Sequence, residues 1–264
     1  MRRELTPFRR ASRKGSGLDG IITAGILVVG DEILSGRTKD KNVGFLADYL
    51  TGMGIDLKEV RIVSDDTGAI VEAINALRSR YTYVFTSGGI GPTHDDITAE
   101  AVSVAFGLPC IQHPEAMEIL EEHYARSNME FTDARKRMAR TPQGATLIDN
   151  PVSKAPGFVV ENVHVMAGVP KIMQAMMDSL APSLKGGQRM LSQSVECAFG
   201  EGNIGGPLGL IQEDHPDTMI GSYPRFEDGN HTTQIVVRGR AQEAVTAAVE
   251  AVENMLSALR DQLR

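Results

Sequence analysis

Cysteine is scarce in this 264-residue chain: Cys110 and Cys197 stand far apart and fit no metal or redox spacing, which leaves two reduced structural thiols. No apolar run approaches membrane-spanning length, and the N-terminal segment has no secretory apolar stretch. Its Arg and Ser content resembles a transit peptide only faintly, and Glu4 and Asp19 count against one. These absences predict a cytoplasmic protein with no membrane partner. Net positive charge is missing from the body of the chain, where acids outnumber bases. Residues 1–19 hold Arg2, Arg3, Arg9, Arg10, Arg13 and Lys14 against two acids, a local +4 within an overall −7. An acidic body excludes broad nucleic-acid binding. Nucleophile signatures are missing too: there is no Gly-x-Ser-x-Gly elbow and neither cysteine adjoins a histidine, so activated water is the expected nucleophile. His94 has no second histidine at ligand spacing.

What is present is alternation. Apolar runs at Ile22–Val29, Leu57–Val63 and Tyr81–Phe85 read as strands, and amphipathic stretches at Asn42–Met53 and Thr67–Arg80 read as helices between them. A helix over Ala99–Phe106 follows, with Thr98 as its expected N-cap, then a polar helical region from Pro114 to Arg140. Short strands near Thr146, Phe158 and Val163 precede a helix over Pro170–Leu180. This order predicts an α/β fold: a three-layer, mostly parallel sheet with helices on both faces, over residues 21–184. The breakers in Pro182–Arg189 mark a boundary, beyond which a small α+β domain of βαββα order is expected over 190–264. Residues 1–20, basic and poor in apolar side chains, read as a disordered extension. Self-association into a homo-oligomer is expected from the apolar faces.

The densest signal is Thr86-Ser-Gly-Gly-Ile-Gly-Pro-Thr-His-Asp-Asp-Ile-Thr98, between a strand and a helix. Gly88, Gly89 and Gly91 permit backbone turns in which main-chain N–H groups converge on an anion, and phosphate is the natural guest. Asp95 and Asp96 would repel phosphate unless a metal, a proton or a water stood between them. In an open α/β sheet the ligand crevice lies beyond the carboxyl ends of the strands. Gly30-Asp31-Glu32 and Asp65-Asp66 also fall there. Carboxylates from three strand ends can hold a divalent cation, Mg, Mn or Co, with Asp31, Glu32 and Asp95 as candidate ligands. Gly30, Ser35, Thr38, Asn42, Ser87, Thr93, Gly157 and Lys154 are candidates to hold the substrate, Lys154 as counter-charge to a pyrophosphate. The run Arg135, Lys136, Arg137 and Arg140 reads first as a solvated helix face and second as a phosphate contact.

Four ordered motifs, Gly30-Asp-Glu-Ile-Leu-Ser-Gly36 with Asp40 and Asn42, Ser87–Thr98, Ala155-Pro-Gly157 and Gly168-Val-Pro170, resemble the molybdopterin-binding-like domain of the CinA (competence/damage-inducible) family. That domain is similar to MogA, MoaB and the N-terminal domain of eukaryotic FAD synthases. Ile220–Phe226 resembles the matching small-domain segment of the CinA and FAD-synthase relatives. The CinA resemblance implies metal-dependent hydrolysis of a pyrophosphate such as ADP-ribose, and the FAD-synthase resemblance a related hydrolysis of FAD. MogA implies adenylyl transfer to molybdopterin, and a non-catalytic nucleotide-binding module is a third expectation. By motif, Asp96 and Asp65 match aspartates implicated in catalysis in MogA. Many CinA proteins carry a further amidohydrolase domain for nicotinamide mononucleotide; none follows the small domain here, so deamidase activity is expected to be absent.

Overall fold

The computed structural model describes residues 20–227 and 230–262; the basic extension expected over residues 1–20 lies outside them except for Gly20. The chain enters at β1 (Ile22–Val29), turns through a short helix α1 (Asp31–Leu34), and continues into α2 (Asn42–Gly52), β2 (Ile55–Val63) and α3 (Thr67–Arg78). β3 (Tyr83–Ser87) and α4 (Thr98–Phe106) flank the glycine loop. An excursion follows: β4 (Cys110–Gln112), α5 (Pro114–Arg126), α6 (Asp133–Lys136), a 3-10 turn and β5 (Arg140–Pro142). β6 (Thr146–Ile148), β7 (Gly157–Val160), β8 (Val163–Met166) and α7 (Pro170–Leu180) complete this part.

The six-stranded sheet has the order β2-β1-β3-β8-β7-β6. β2, β1, β3 and β8 run parallel, while β7 and β6 are antiparallel additions. Alternation along β1 decides the layers. Leu27 and Val29 pack under Ile70, Ile74 and Leu77 of α3 and the alanines of α4. Ile26 and Val28 face the other way, onto Leu46 and Leu50 of α2 and Met173, Met176 and Met177 of α7. Both faces are covered, the three-layer arrangement that parallel strands require.

Several boundaries differ from the sequence reading. β3 begins two residues later than expected because the Tyr81 N–H still bonds the Leu77 carbonyl of α3 and its own carbonyl accepts the Asn162 amide. The polar region from Pro114 to Arg140 is not one helix. It breaks after Arg126, where Asn128 adopts a left-handed φ of 53°, and restarts under a Thr132 side-chain cap. β4 and β5, unanticipated, close its ends as a two-stranded antiparallel pair.

Beyond the breakers come β9 (Leu191–Cys197), α8 (Glu201–Asp214), β10 (Thr218–Glu227), β11 (Asn230–Gly239) and α9 (Gln242–Gln262), in βαββα order. The antiparallel sheet β10-β11-β9 packs Ile235 and Val237 against Ile204 of α8 and Val245, Ala248 and Val252 of α9. No helix among the described residues is long and apolar enough to cross a membrane.

Candidate active-site cleft

The sheet order makes β1 turn outward to β2 and β3 return on its other side, so the carboxyl ends of β1 and β3 diverge and leave a crevice between their loops. A cleft of about 640 Å³ opens there. Gly30 and Glu32 follow β1, Asp65 follows β2, and Gly88, Gly89, Gly91, Asp95 and Asp96 follow β3, and all of them line it. The rest of its lining is mostly apolar, from Ile90, Met138, Ala155, Val169, Pro170 and Ile172. Among the described residues lining the cleft none is Lys or Arg.

The glycine loop is fixed by close approach. Gly88 has φ 110° and Gly89 φ 70°, conformations that L side chains rarely adopt, and a Cβ on them would run into the Val29 carbonyl and the Thr98 hydroxyl respectively. Thr98 is not the expected N-cap but the first helical residue. Its hydroxyl donates to the Gly88 carbonyl at 3.0 Å and its N–H to the Gly89 carbonyl at 2.9 Å, so it ties the loop down from below. The N–H of Gly88 is used by Met166, whereas those of Gly89, Ile90 and Gly91 have no acceptor among the described residues. They are the donors a phosphate would find.

Asp96 is held by its own turn: Oδ2 accepts the Thr93 N–H at 2.8 Å and the Thr93 hydroxyl at 2.5 Å. Thr93 therefore acts on Asp96 without itself lining the cleft. Asp65 Oδ2 accepts the Asp31 main-chain N–H at 2.9 Å. Burial pushes the Asp65 carboxyl above the ordinary range. The Asp31 N–H opposes this, and the charges of Asp31, Glu32 and Asp95 add to it. Exposed Asp95 is held below the ordinary range by the nearby polar Thr93, whose N–H and hydroxyl are both given to Asp96, and by the neighbouring Arg137 charge. The acidic ends of three strands thus meet. Even so, no three His, Cys, Asp or Glu side chains among the described residues are grouped closely enough to hold a metal ion by themselves.

Other candidates stand in a small recess that shares Glu32, Thr38 and Gly168 with the cleft and is also lined by Lys39 and Lys41, or stand beyond it. Asn42 and Ser87 are buried and bonded to each other: Asn42 Nδ2 donates to Ser87 Oγ and to the Gly168 carbonyl, both at 2.7 Å. They brace the α2 start against the ends of β3 and β8. Thr38 lines the cleft, but Ser35 closes α1 and Gly157 lies in β7 where a Cβ would meet the Val165 carbonyl. Lys154 takes a left-handed φ of 64° in a turn and does not line the cleft, nor does the exposed His94. The basic run divides. Lys136 pairs with Asp133 at the surface, while Arg137 and Arg140 turn inward to Glu100.

Several contributors escaped the sequence reading, Met138 and Asn150 among them. Met138 comes from the excursion, and nothing in its neighbourhood signals a cleft. Asn150 accepts the N–H groups of Val152 and Ser153 at 3.1 Å, and its amide donates to Ser153 Oγ and the Ala155 carbonyl. Its Asn-Pro start is a turn signal that could have been read.

A crevice at the switch point of a doubly wound sheet, walled by a glycine loop and by carboxylates, defines a small-molecule-binding α/β protein. Comparison narrows this: residues 25–186 match the family described as "Probable molybdopterin binding domain", and residues 189–260 the one described as "FAD synthase, middle domain". The chain belongs to the molybdopterin-binding-domain family and to its CinA-like members. A protein of Archaeoglobus fulgidus is 32% identical over 88% of this chain and 97% of its own length. A CinA-like protein of a Sulfurihydrogenibium species is 38% identical over 57% of this chain and 39% of its own. The crystal structure of CinA from Thermoplasma acidophilum, described as of unknown function, aligns at TM-score 0.57 with 32% identity, covering 62% of this chain and 98% of that one.

Proposed function

We propose that the chain hydrolyses a nucleoside-diphosphate-linked pyrophosphate of the ADP-ribose or FAD type. The carrying observation is that one cleft combines three loop N–H groups without an acceptor among the described residues, an apolar wall, and Glu32, Asp65, Asp95 and Asp96, with no Lys or Arg among its described lining residues. A pyrophosphate cannot rest against those carboxylates unless positive charge accompanies it. Oxygen donors suit a hard divalent cation, and such ions are commonly held by one or two carboxylates together with substrate phosphates. Glu32 and Asp95 are the residues that would hold it, which agrees with the lack of a self-sufficient ligand group. When bound, it would neutralise charge developing on the phosphoryl oxygens.

The chain's own residues supply the rest. N–H groups of Gly89, Ile90 and Gly91 bind phosphoryl oxygens, and Ile90, Met138, Val169 and Ile172 exclude water from the ring. Asp65, with its raised proton affinity, takes the proton of the attacking water. Asp96, one oxygen occupied by Thr93, orients the water with the other. Water oxygen joins one phosphorus and the P–O–P bridge breaks, so the products are AMP and a second phosphate monoester.

The full chain incubated with ADP-ribose or FAD and Mg, Mn or Co should release AMP, and Asp96→Asn should lower the rate about 100-fold or more. No release with any metal, or an undiminished rate in Asp96→Asn, would sink the hydrolase reading. Calorimetric binding of ADP-ribose without turnover would instead indicate a binding module. A second reading, adenylyl transfer to or handling of molybdopterin, is favoured by the lining carboxylates, which can accept hydrogen bonds from the amino edge of a pterin. ATP-dependent adenylylation of molybdopterin would place it first.

A further inference from the structure

Arg137 stands in the 3-10 turn of the excursion, 41 residues from Asp96, yet its Nη2 donates to the Asp96 carbonyl at 3.1 Å. The same guanidinium lies 3.8 Å from the Glu100 carboxyl, one turn further along α4 and itself engaged by Arg140. Two buried polar atoms here have no partner: Arg137 Nε and Glu100 Oε2. They are complementary, donor and acceptor, and would satisfy each other if the guanidinium closed a two-point fork on Glu100. The observed geometry leaves them open and gives Nη2 to the Asp96 carbonyl instead. Leaving buried polar groups unpaired is costly, so something must favour the bond to Asp96 over the fork. The surroundings supply it. Thr93 grips the Asp96 side chain from within its own turn, and Met138, the neighbour of Arg137, packs into the cleft wall. The main chain of Asp96 is therefore set by a residue outside the glycine motif.

We infer that Arg137 is a positioning residue: by holding the Asp96 carbonyl it fixes the turn over residues 93–96 and so the direction of the Asp96 carboxylate, with Glu100 as the alternative partner. This rests on the proposed role of Asp96 for its kinetic arm only. In Arg137→Met the carbonyl bond is lost and the fork on Glu100 can no longer form. The expected result is faster amide hydrogen exchange across residues 91–98, by about tenfold or more, with exchange in α5 unchanged. AMP release from ADP-ribose should show kcat reduced at least about tenfold and KM within about twofold, because misplacing a reacting group costs turnover more than binding. Arg137→Lys, which keeps a donor able to reach the carbonyl, should recover part of both effects. Unchanged exchange over residues 91–98 in folded Arg137→Met, or equal exchange increases in the loop and in α5, would overturn the inference. If the wild-type chain releases no AMP, the hydrolase reading falls while the exchange measurement still decides the role of Arg137. If Arg137→Met does not fold, Arg137→Lys with intermediate exchange decides it in the same way.

Discussion

Asp65 and Asp95 sit in one cleft with opposite displacements, one carboxyl raised by burial and the other lowered by Thr93. Carboxylates pushed apart in this way suit different tasks, in the proposed reaction Asp65 as base and Asp95 as cation ligand. A carboxyl with a raised folded pKa contributes stability below its unfolded pKa of about 4 and loses that contribution as pH rises through the folded value. At neutral pH ionised Asp65 is therefore a burden on the fold. Asp65→Asn should melt at the same or a higher temperature at pH 7, with the difference closing below about pH 4. Its AMP release should fall about 100-fold. The acid limb of the wild-type rate profile should lie above the ordinary aspartate range. Asp65 was legible in the sequence because it ends a strand-like run. Asn42 and Ser87 were legible as polar residues near the site but not as partners, since the chain separates them by 45 positions and only the sheet brings them to 2.7 Å.

At the scale of the element, the loop from β3 to α4 depends on Thr98 more than on a cap. Thr98→Val keeps the shape but leaves the buried Gly88 carbonyl without its donor, and should cost about 1–3 kcal/mol in denaturant unfolding. Thr98→Ser, which keeps the hydroxyl, should cost less than the valine variant. The strand-to-helix order and the helices with strong apolar faces were readable, α3 and α7 above all, because 3.6-residue periodicity is a local property. The excursion was not. Its breaks come from a left-handed Asn128 and the Thr132 cap within a polar stretch, and β4 and β5 exist only because two segments 30 residues apart pair. The inward turn of Arg137 and Arg140 is likewise a consequence of that pairing, which carries them against α4.

At the scale of the whole molecule, the two sheets are tied by Arg240, at the end of β11, whose Nη2 donates to Asp56 Oδ1 of β2 at 2.6 Å. Burial raises the Asp56 carboxyl, but Lys58 and Arg240 more than offset it and hold it below the ordinary range. The stability this lends is present above the unfolded pKa and is lost as pH falls through the folded one. Arg240→Ala should therefore lower stability by about 1–2 kcal/mol at pH 7, an effect that shrinks in acid below about pH 4. A destabilisation independent of pH would mean that the bond to the Gln188 carbonyl and the packing of the arginine, not the ion pair with Asp56, carry the contact.

The amino-acid sequence by itself determined the alternation of strands and helices, the glycine loop and the acidic strand ends, since periodicity, glycine and charge act over a few residues. Tertiary structure alone decided which of those groups share a cleft. It put Ser87 and Asn42 into a brace, left Lys154 outside, and brought Met138 and Arg137 in from the excursion. The physical reason is that a hydrogen bond or a cleft wall needs atoms within a few ångströms, and for residues far apart in the chain that distance is set by sheet order and packing.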